Sequence, residues 1–370
     1  MTAMAAHRHL ARLAAAPRPA GSPGEASARH YCAGVLQSLG FAVVDEPFEY
    51  SSAPGRWATP AAGVASLVML TVAALFGTNA NGPAALITIV VGLLAGIPLA
   101  MWTARHGVLE LPLARARGIN LRATRGDPEP MVWLVAHLDS KSQPVPTAAR
   151  AAGMIALGAV VLIAAGVATA QSFGANVGGW WIWIAIAGAL VAIPVEASVV
   201  GPHSPGALDN ASGVATVLGA VERLERRDTV GVLLTSAEEL GLAGARAVAR
   251  RYPAAMALNC DGVDDRGTLI CMRHGSRGSR SATASALAAA AAEIGIPLTT
   301  RGLVPGLLVD TVALHDAGWD CATLSRGRWS TLARVHRPHD DLQHLEGRGV
   351  DEAALVLAAA VRQLRPHFQR

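Results

Sequence analysis

Four stretches of this chain run for sixteen to twenty residues without one charged side chain: 57–76, 84–102, 151–170 and 180–195. About 20 apolar residues wound as a helix cross a hydrocarbon core of roughly 30 Å. The first two stretches are joined by the short tip 77–83 and the last two by the uncharged tip 171–179. That arrangement predicts two transmembrane helical hairpins, 57–102 and 151–197. Trp57 and Trp102 stand at the open ends of the first, and Trp180, Trp181 and Trp183 follow the tip of the second. Indoles favour the membrane interface, so these positions strengthen the membrane reading over that of buried helices in a large soluble core. Both tips lack Lys and Arg, whereas Arg56, Arg105, Lys141 and Arg150 flank the opposite ends. The positive-inside rule then places the tips outside and everything else in the cytoplasm, making an integral, four-span protein with the lipid bilayer as one partner.

Composition agrees with lipid burial. Hydrophobic residues make up 52% of the chain and charged residues 16%, with mean hydropathy +0.35. An ordinary soluble domain carries about 25% charged residues. The net charge of +4 raises the question of nucleic acid, but the arginines are scattered and no basic run is interleaved with aromatics, so no nucleic-acid partner is expected. Cys32, Cys260, Cys271 and Cys321 form no CxxC pair and predict reduced, buried thiols. The first 25 residues have no apolar h-region, which predicts no cleavable signal peptide.

Outside the hairpins, strand-like and helix-like segments alternate. This implies an α/β fold with a mostly parallel central sheet flanked by helices. Two hairpins return the chain to its starting side, so 1–56, 103–150 and 198–370 are expected to assemble into one catalytic domain. Such sheets place sites at the carboxyl ends of strands, and His137, Glu238, Glu239 and Asp261 all fall at predicted strand ends.

The densest chemistry lies in 206–244, GALDNASGVATVLGAVERLERRDTVGVLLTSAEELGLAG. The adjacent carboxylates Glu238 and Glu239 repel unless one is protonated or a cation lies between them. With Asp209, Asp261, His137 and His336 they form a nitrogen–oxygen donor set that suits Zn²⁺, with Mn²⁺ or Co²⁺ as substitutes. Five ligands (His137, Asp209, Glu239, Asp261, His336) are too many for one open tetrahedral ion and fit two ions if a carboxylate bridges. Two ions about 3.5–4 Å apart clamp a water and polarise a carbonyl. Glu238 is then free to act as general base on that water. Asp139, two residues beyond His137, is placed to orient the imidazole.

In order, HLDS, GALDNASG, EELGLAG, NCDG and HRPHDDL resemble the co-catalytic two-zinc aminopeptidases, whose superfamily includes glutamate carboxypeptidases and glutaminyl cyclases. The resemblance covers roughly 25–50, 118–150 and 198–365. It implies that Asp209 bridges two zinc ions, that His137 and Asp261 complete one site, that Glu239 and His336 complete the other, and that Glu238 is the base. The family's late motif resembles His-Thr-Pro-x-Asp-Thr, with the ligand four residues before the acid. HRPHDD then aligns His336, not His339, with the ligand and Asp340 with the acid. Asp310 falls where the family carries an acid near the substrate pocket, and fits a helix N-cap equally well. Two features depart from the pattern: Leu208 replaces a usual polar residue, and the hairpins fill what are short loops in the family. The expected function is a membrane-anchored aminopeptidase acting on peptides. The alternatives are a zinc carboxypeptidase or amidohydrolase of the same fold, and a non-catalytic membrane scaffold. A transporter is disfavoured because the spans hold no internal charge.

Overall fold

Residues 132–137 and 230–235 are apolar at nearly every position, so neither segment has a side to offer to water. A strand of that kind belongs in the middle of a sheet covered on both faces. The computed structural model describes residues 3–126, 129–226, 228–275, 280–304 and 306–364. In it these two segments are β3 (Val132–His137) and β4 (Val230–Thr235), buried along their whole length. The other strands are β1 (Ala42–Ser51), β2 (Arg115–Arg125), β5 (Met256–Val263), β6 (Thr268–Arg273), β7 (Leu298–Gly302) and β8 (Asp320–Gly327). They form one eight-stranded sheet in the order β1-β2-β4-β3-β5-β8-β6-β7.

The sheet is mixed, where the alternation of elements predicted a mostly parallel one. Its middle, β4-β3-β5-β8, is parallel, but β1–β2, β2–β4 and β6–β8 are antiparallel. Link length explains the difference. A parallel connection needs a crossover of a dozen or more residues. Residues 126–131 between β2 and β3, and 264–267 between β5 and β6, are far shorter, so each pair of strands runs in opposite senses.

The chain divides into two compact units: Met1–Ser51, Ala114–Ser142 and Gly201–Arg370 in one, Ser52–Leu113 and Gln143–Val200 in the other. In the first, alternate residues of the central strands feed two cores. Leu134, Ala136, Val232, Leu234 and Leu258 pack with the helices Ala3–Leu13, Pro23–Ser38, Ser212–Glu222, Ala282–Glu293 and Arg348–Leu364. Trp133, Val135, Leu233 and Ala257 point the other way, onto Ala243–Arg251 and Asp310–Asp316. All four cysteines are buried free thiols.

The second unit is built on four long helices, Ala53–Thr78, Gly82–Trp102, Thr147–Ser172 and Trp180–Glu196. Its interior collects Ala73, Ala85, Ala164 and Ala168 around Leu70, Ile89 and Trp181, while Leu94, Ile155 and Leu162 are more than 70% exposed. Small residues inside and large apolar residues outside is the pattern of helices that face lipid. Among the described residues, three helices are long and apolar enough to cross a membrane: Ala53–Thr78, Gly82–Glu110 and Thr147–Ser172. The fourth apolar helix, Trp180–Glu196, has 17 residues. At 1.5 Å per residue it reaches about 26 Å, short of a core of roughly 30 Å. Length therefore supports membrane association through three helices rather than the four spans expected.

Candidate active site

The parallel strands β4, β3 and β5 are neighbours and end on the same edge of the sheet. His137 closes β3 in register with Thr235 of β4, and Asp261 lies in β5 where the ladder with β8 is interrupted between Cys260 and Val263. After β4 the chain turns through Ala237 and Leu242, both left-handed (φ +57° and +61°), and places Glu238 and Glu239 in a single tight turn between them. Asp209 arrives from the segment before the helix Ser212–Glu222. That segment is locked from several sides. Asn210 donates to the Cys260 carbonyl at 2.9 Å and accepts from the Gly213 and Gly262 N–H groups. A Cβ on Gly213 would lie 2.1 Å from Asn210 Oδ1 and 2.3 Å from the Cys260 carbonyl oxygen, so this motif position has room only for glycine.

The resulting cluster is tight. Asp209 sits between the two histidines, with Oδ1 3.0 Å from His137 Nε2 and Oδ2 2.8 Å from His336 Nε2. His137 Nε2 is also 3.7 Å from Asp261 Oδ1 and 4.0 Å from Glu238 Oε2. His336 Nε2 is 3.3 Å from Glu239 Oε1. Among the described residues, two groups of potential ligand atoms each fall within 4.8 Å: His137, Glu238 and Asp261, and Asp209, Glu239 and His336. His336 is itself in the left-handed region (φ +61°) and its ring meets Asp209 and Glu239, while His339 is exposed. The six candidates His137, Asp209, Glu238, Glu239, Asp261 and His336 are thus brought together.

Asp139 is placed differently from a simple imidazole partner. His137 Nδ1 meets the backbone carbonyl of Asp139 at 3.0 Å, and the carboxylate stands 3.6 Å away. The carboxylate instead accepts from the N–H groups of Glu238 and Glu239, each at 3.1 Å. Asp340 does the same for the Asp209 segment, accepting from Leu208 N at 2.7 Å and Asp209 N at 3.1 Å. Burial pushes its carboxyl up to about 7. Asp310 is buried and accepts from Thr235 Oγ1 at 2.6 Å; burial raises it to about 7 as well. It is the first residue of its helix rather than the N-cap, which is Val309 and makes no side-chain capping bond.

Two residues escaped the sequence reading. Arg18, between Pro17 and Pro19, lies buried under the site and donates to the carbonyls of Leu13, Leu138, Pro205 and Gly206. Its flanking prolines were a signal of a fixed segment. Lys141 places Nζ 2.6 Å from Glu239 Oε2.

Electrostatics mark the cluster as built for cations. Burial alone would lower the His137 imidazole, yet Glu238, Asp139, Asp209 and Asp261 hold it well above its ordinary value. Burial raises the Glu238 carboxyl well above the carboxylate range, against the pull of His137. Asp209 is driven the other way: burial disfavours its charge, but His137 and His336 keep it well below. Despite these close approaches, His137 Nε2 and Glu239 Oε1 are buried without a hydrogen-bond partner. Orphaned buried polar atoms are costly, and bound metal would satisfy each of them. Borderline nitrogen and hard oxygen donors fit zinc.

Residues 193–361 match the sequence profile of Peptidase family M28. Among solved structures the chain is similar to a zinc aminopeptidase from Bacillus subtilis, at 14% identity and TM-score 0.59 over 98% of this chain and 95% of that one. It is similar to an aminopeptidase from Aneurinibacillus sp. strain AM-1, at 16% and 0.56 over 98% and 93%. A glutaminyl cyclase from Fimbriiglobus ruber aligns at 13% and 0.55 over 98% and 95%. At these identities the likeness is one of fold. No curated protein matches the chain in sequence.

Proposed function

We propose that this chain, a zinc-dependent peptidase of the co-catalytic zinc exopeptidase superfamily, is a membrane-anchored aminopeptidase that loads two zinc ions. The observation that carries the two-ion reading is Asp209, which offers one oxygen toward each histidine, 3.0 Å from His137 and 2.8 Å from His336. His137, Asp209 and Asp261 would hold one ion, and Asp209, Glu239 and His336 the other. Mn²⁺ and Co²⁺ offer the same coordination chemistry as substitutes. Bound zinc supplies Lewis acidity that polarises a carbonyl and lowers the pKa of water.

The remaining work falls to the protein. Glu238, at the rim of the cluster, takes a proton from the water that attacks the peptide carbonyl and returns it to the leaving amine. Asp139 fixes that carboxylate by gripping its backbone N–H. The main-chain carbonyl of Asp139 holds the proton on His137 Nδ1, leaving Nε2 as the ligand atom. The substrate is a peptide with a free amino end. The hairpins tether the enzyme to the bilayer, chiefly through the three long apolar helices. Arg56, Arg105, Lys141 and Arg150 flank them on the side away from the tips and favour a cytoplasmic catalytic unit.

The test is hydrolysis of a panel of aminoacyl fluorogenic amides by detergent-purified protein, with added zinc, with chelator, and with Glu238→Ala. Loss of a general base costs roughly 10²–10⁴ in rate. Activity that requires metal and collapses in the variant is the expected result. Turnover that survives both chelation and the substitution would overturn the assignment. Acyl substrates with a blocked amino end, run in parallel, separate aminopeptidase from carboxypeptidase or amidohydrolase action.

A further inference from the structure

Of the 31 Lys and Arg residues in this chain, Lys141 alone is a lysine. It stands four residues after His137, and its ammonium lies 2.6 Å from Oε2 of Glu239, with only 14% and 4% of the two side chains exposed. The other oxygen of the same carboxylate, Oε1, faces His336 Nε2 at 3.3 Å and has no hydrogen-bond partner. One carboxylate is therefore divided. Its outer oxygen is taken by a fixed cation and its inner oxygen is left for the cluster.

The choice of lysine is informative. Arg presents a planar fork that takes both oxygens of a carboxylate at once, whereas the Lys ammonium is a compact point charge that can occupy one. A chain that uses Arg for every other permanent cation departs from that habit at the position where a fork would cover the ligand atom. The position also has a cost for the ion. An ammonium beside a ligand carboxylate repels a divalent cation on the other oxygen, and in a buried setting water and salt screen that repulsion little. Ordering one carboxylate helps binding, but by less than an unscreened like charge opposes it.

We propose that Lys141 is a positioning residue and resident counter-ion of the Asp209–Glu239–His336 cluster. It pins Glu239 so that Oε1 is the oxygen left for the ion, and it holds the affinity of that cluster at least about tenfold below what the same ligands would give without it. The inference rests on the two-zinc reading above and deepens it. The ion at this cluster is the exchangeable one, and activity follows the supply of free zinc.

The experiment uses full-length detergent-purified protein: wild type, Lys141→Met and Lys141→Arg. Zinc is titrated against a chelating competitor to resolve two affinities. In parallel, ¹⁵N-lysine labelling gives a single side-chain ammonium resonance, because the chain has one lysine. The expected wild type binds two ions, and the ammonium signal shifts with the second equivalent only. Lys141→Met should bind the weaker ion at least about tenfold more tightly, and Lys141→Arg should bind it more weakly than wild type as the fork covers Oε1. Two bound ions with the weaker affinity unchanged or reduced in Lys141→Met would overturn the proposal while leaving the two-zinc reading intact. If that variant does not fold, a wild-type ammonium signal indifferent to the second equivalent overturns it equally. Fewer than two ions in the wild type would remove the two-zinc reading and this inference with it.

Discussion

Replacing Asp139 with Asn tests what that carboxylate does. From the sequence it orients the His137 ring; in the structure its two oxygens grip Glu238 N and Glu239 N, each at 3.1 Å, and the ring is held by the Asp139 main chain. Asn keeps one acceptor oxygen and turns an NH₂ toward the other backbone N–H. One charge-assisted bond, worth about 1.5–3 kcal/mol, is lost, and a buried donor is left facing a donor at about 1–3 kcal/mol more. The residue is fully buried, so water cannot repair the mismatch. The sum is about 4 kcal/mol, or a fall in melting temperature of roughly 8–16 °C for a domain of this size. Zinc affinity should drop about 10–100-fold, the usual cost of losing a supporting partner. The assay is thermal unfolding of the detergent-purified variant at saturating zinc, paired with a chelator competition. An Asp139→Asn protein that melts with the wild type but has lost its rate would mean instead that the carboxylate acts on the imidazole and not on the turn.

Three further outcomes are expected. His336→Ala should cost more than the roughly 100-fold in zinc affinity that an outer partner does, whereas exposed His339→Ala should titrate like wild type; equal losses in the two would reverse the assignment. Glu25 accepts from Gly21 N at 2.7 Å near the start of the helix Pro23–Ser38, and burial, with Asp139 nearby, lifts its carboxyl to about 7 from 4.5. The folded state then keeps a proton that the unfolded chain releases, so this stabilisation is complete below pH 4.5 and is lost as pH rises through 7. Glu25→Gln should match wild type in melting temperature near pH 4.5 and exceed it at pH 8, by up to about 3 kcal/mol; a constant offset across that range would contradict the sign. In the apolar unit, a Cβ at Gly77 would lie 2.0 Å from the Trp181 ring, while Gly96 has open space around it. Gly77→Leu should destabilise the helices by about 1–3 kcal/mol in thermal aggregation assays, with Gly96→Leu neutral; the same shift in both would mean the packing is wrong.

Much of the fold was legible because the signals were local. The uncharged runs, the fully apolar strand segments and the strand-to-motif junctions each rest on a few neighbouring residues. What was not legible depended on the length of links and on pairing at a distance. Residues 126–131 and 264–267 are too short for crossovers, and that shortness, not strand composition, makes the sheet mixed. The edge strand β7 has an exposed pattern along most of its length, so Leu298–Gly302 carries no periodic signal. Trp180–Glu196 reads as a span by hydropathy and falls short only when its rise is counted.

The same division runs through the site. His137, Asp209, Glu238, Glu239 and Asp261 were legible because each stands where a strand or a turn stops, and the chemistry needs acids and imidazoles at one sheet edge. Their supports were not, because a support acts through backbone groups that any residue possesses. Nothing in the composition around Asp139, Asp340 or Arg18 says that their side chains end on the N–H groups of 208, 209, 238 and 239 or on the carbonyls of 138, 205 and 206. Lys141 lies between these cases. Its contact with Glu239 spans a long sequence separation and could not be read, but its singularity could: one lysine in a chain otherwise committed to arginine is a chemical choice, and choices of that kind are made where an ammonium and a guanidinium would do different things.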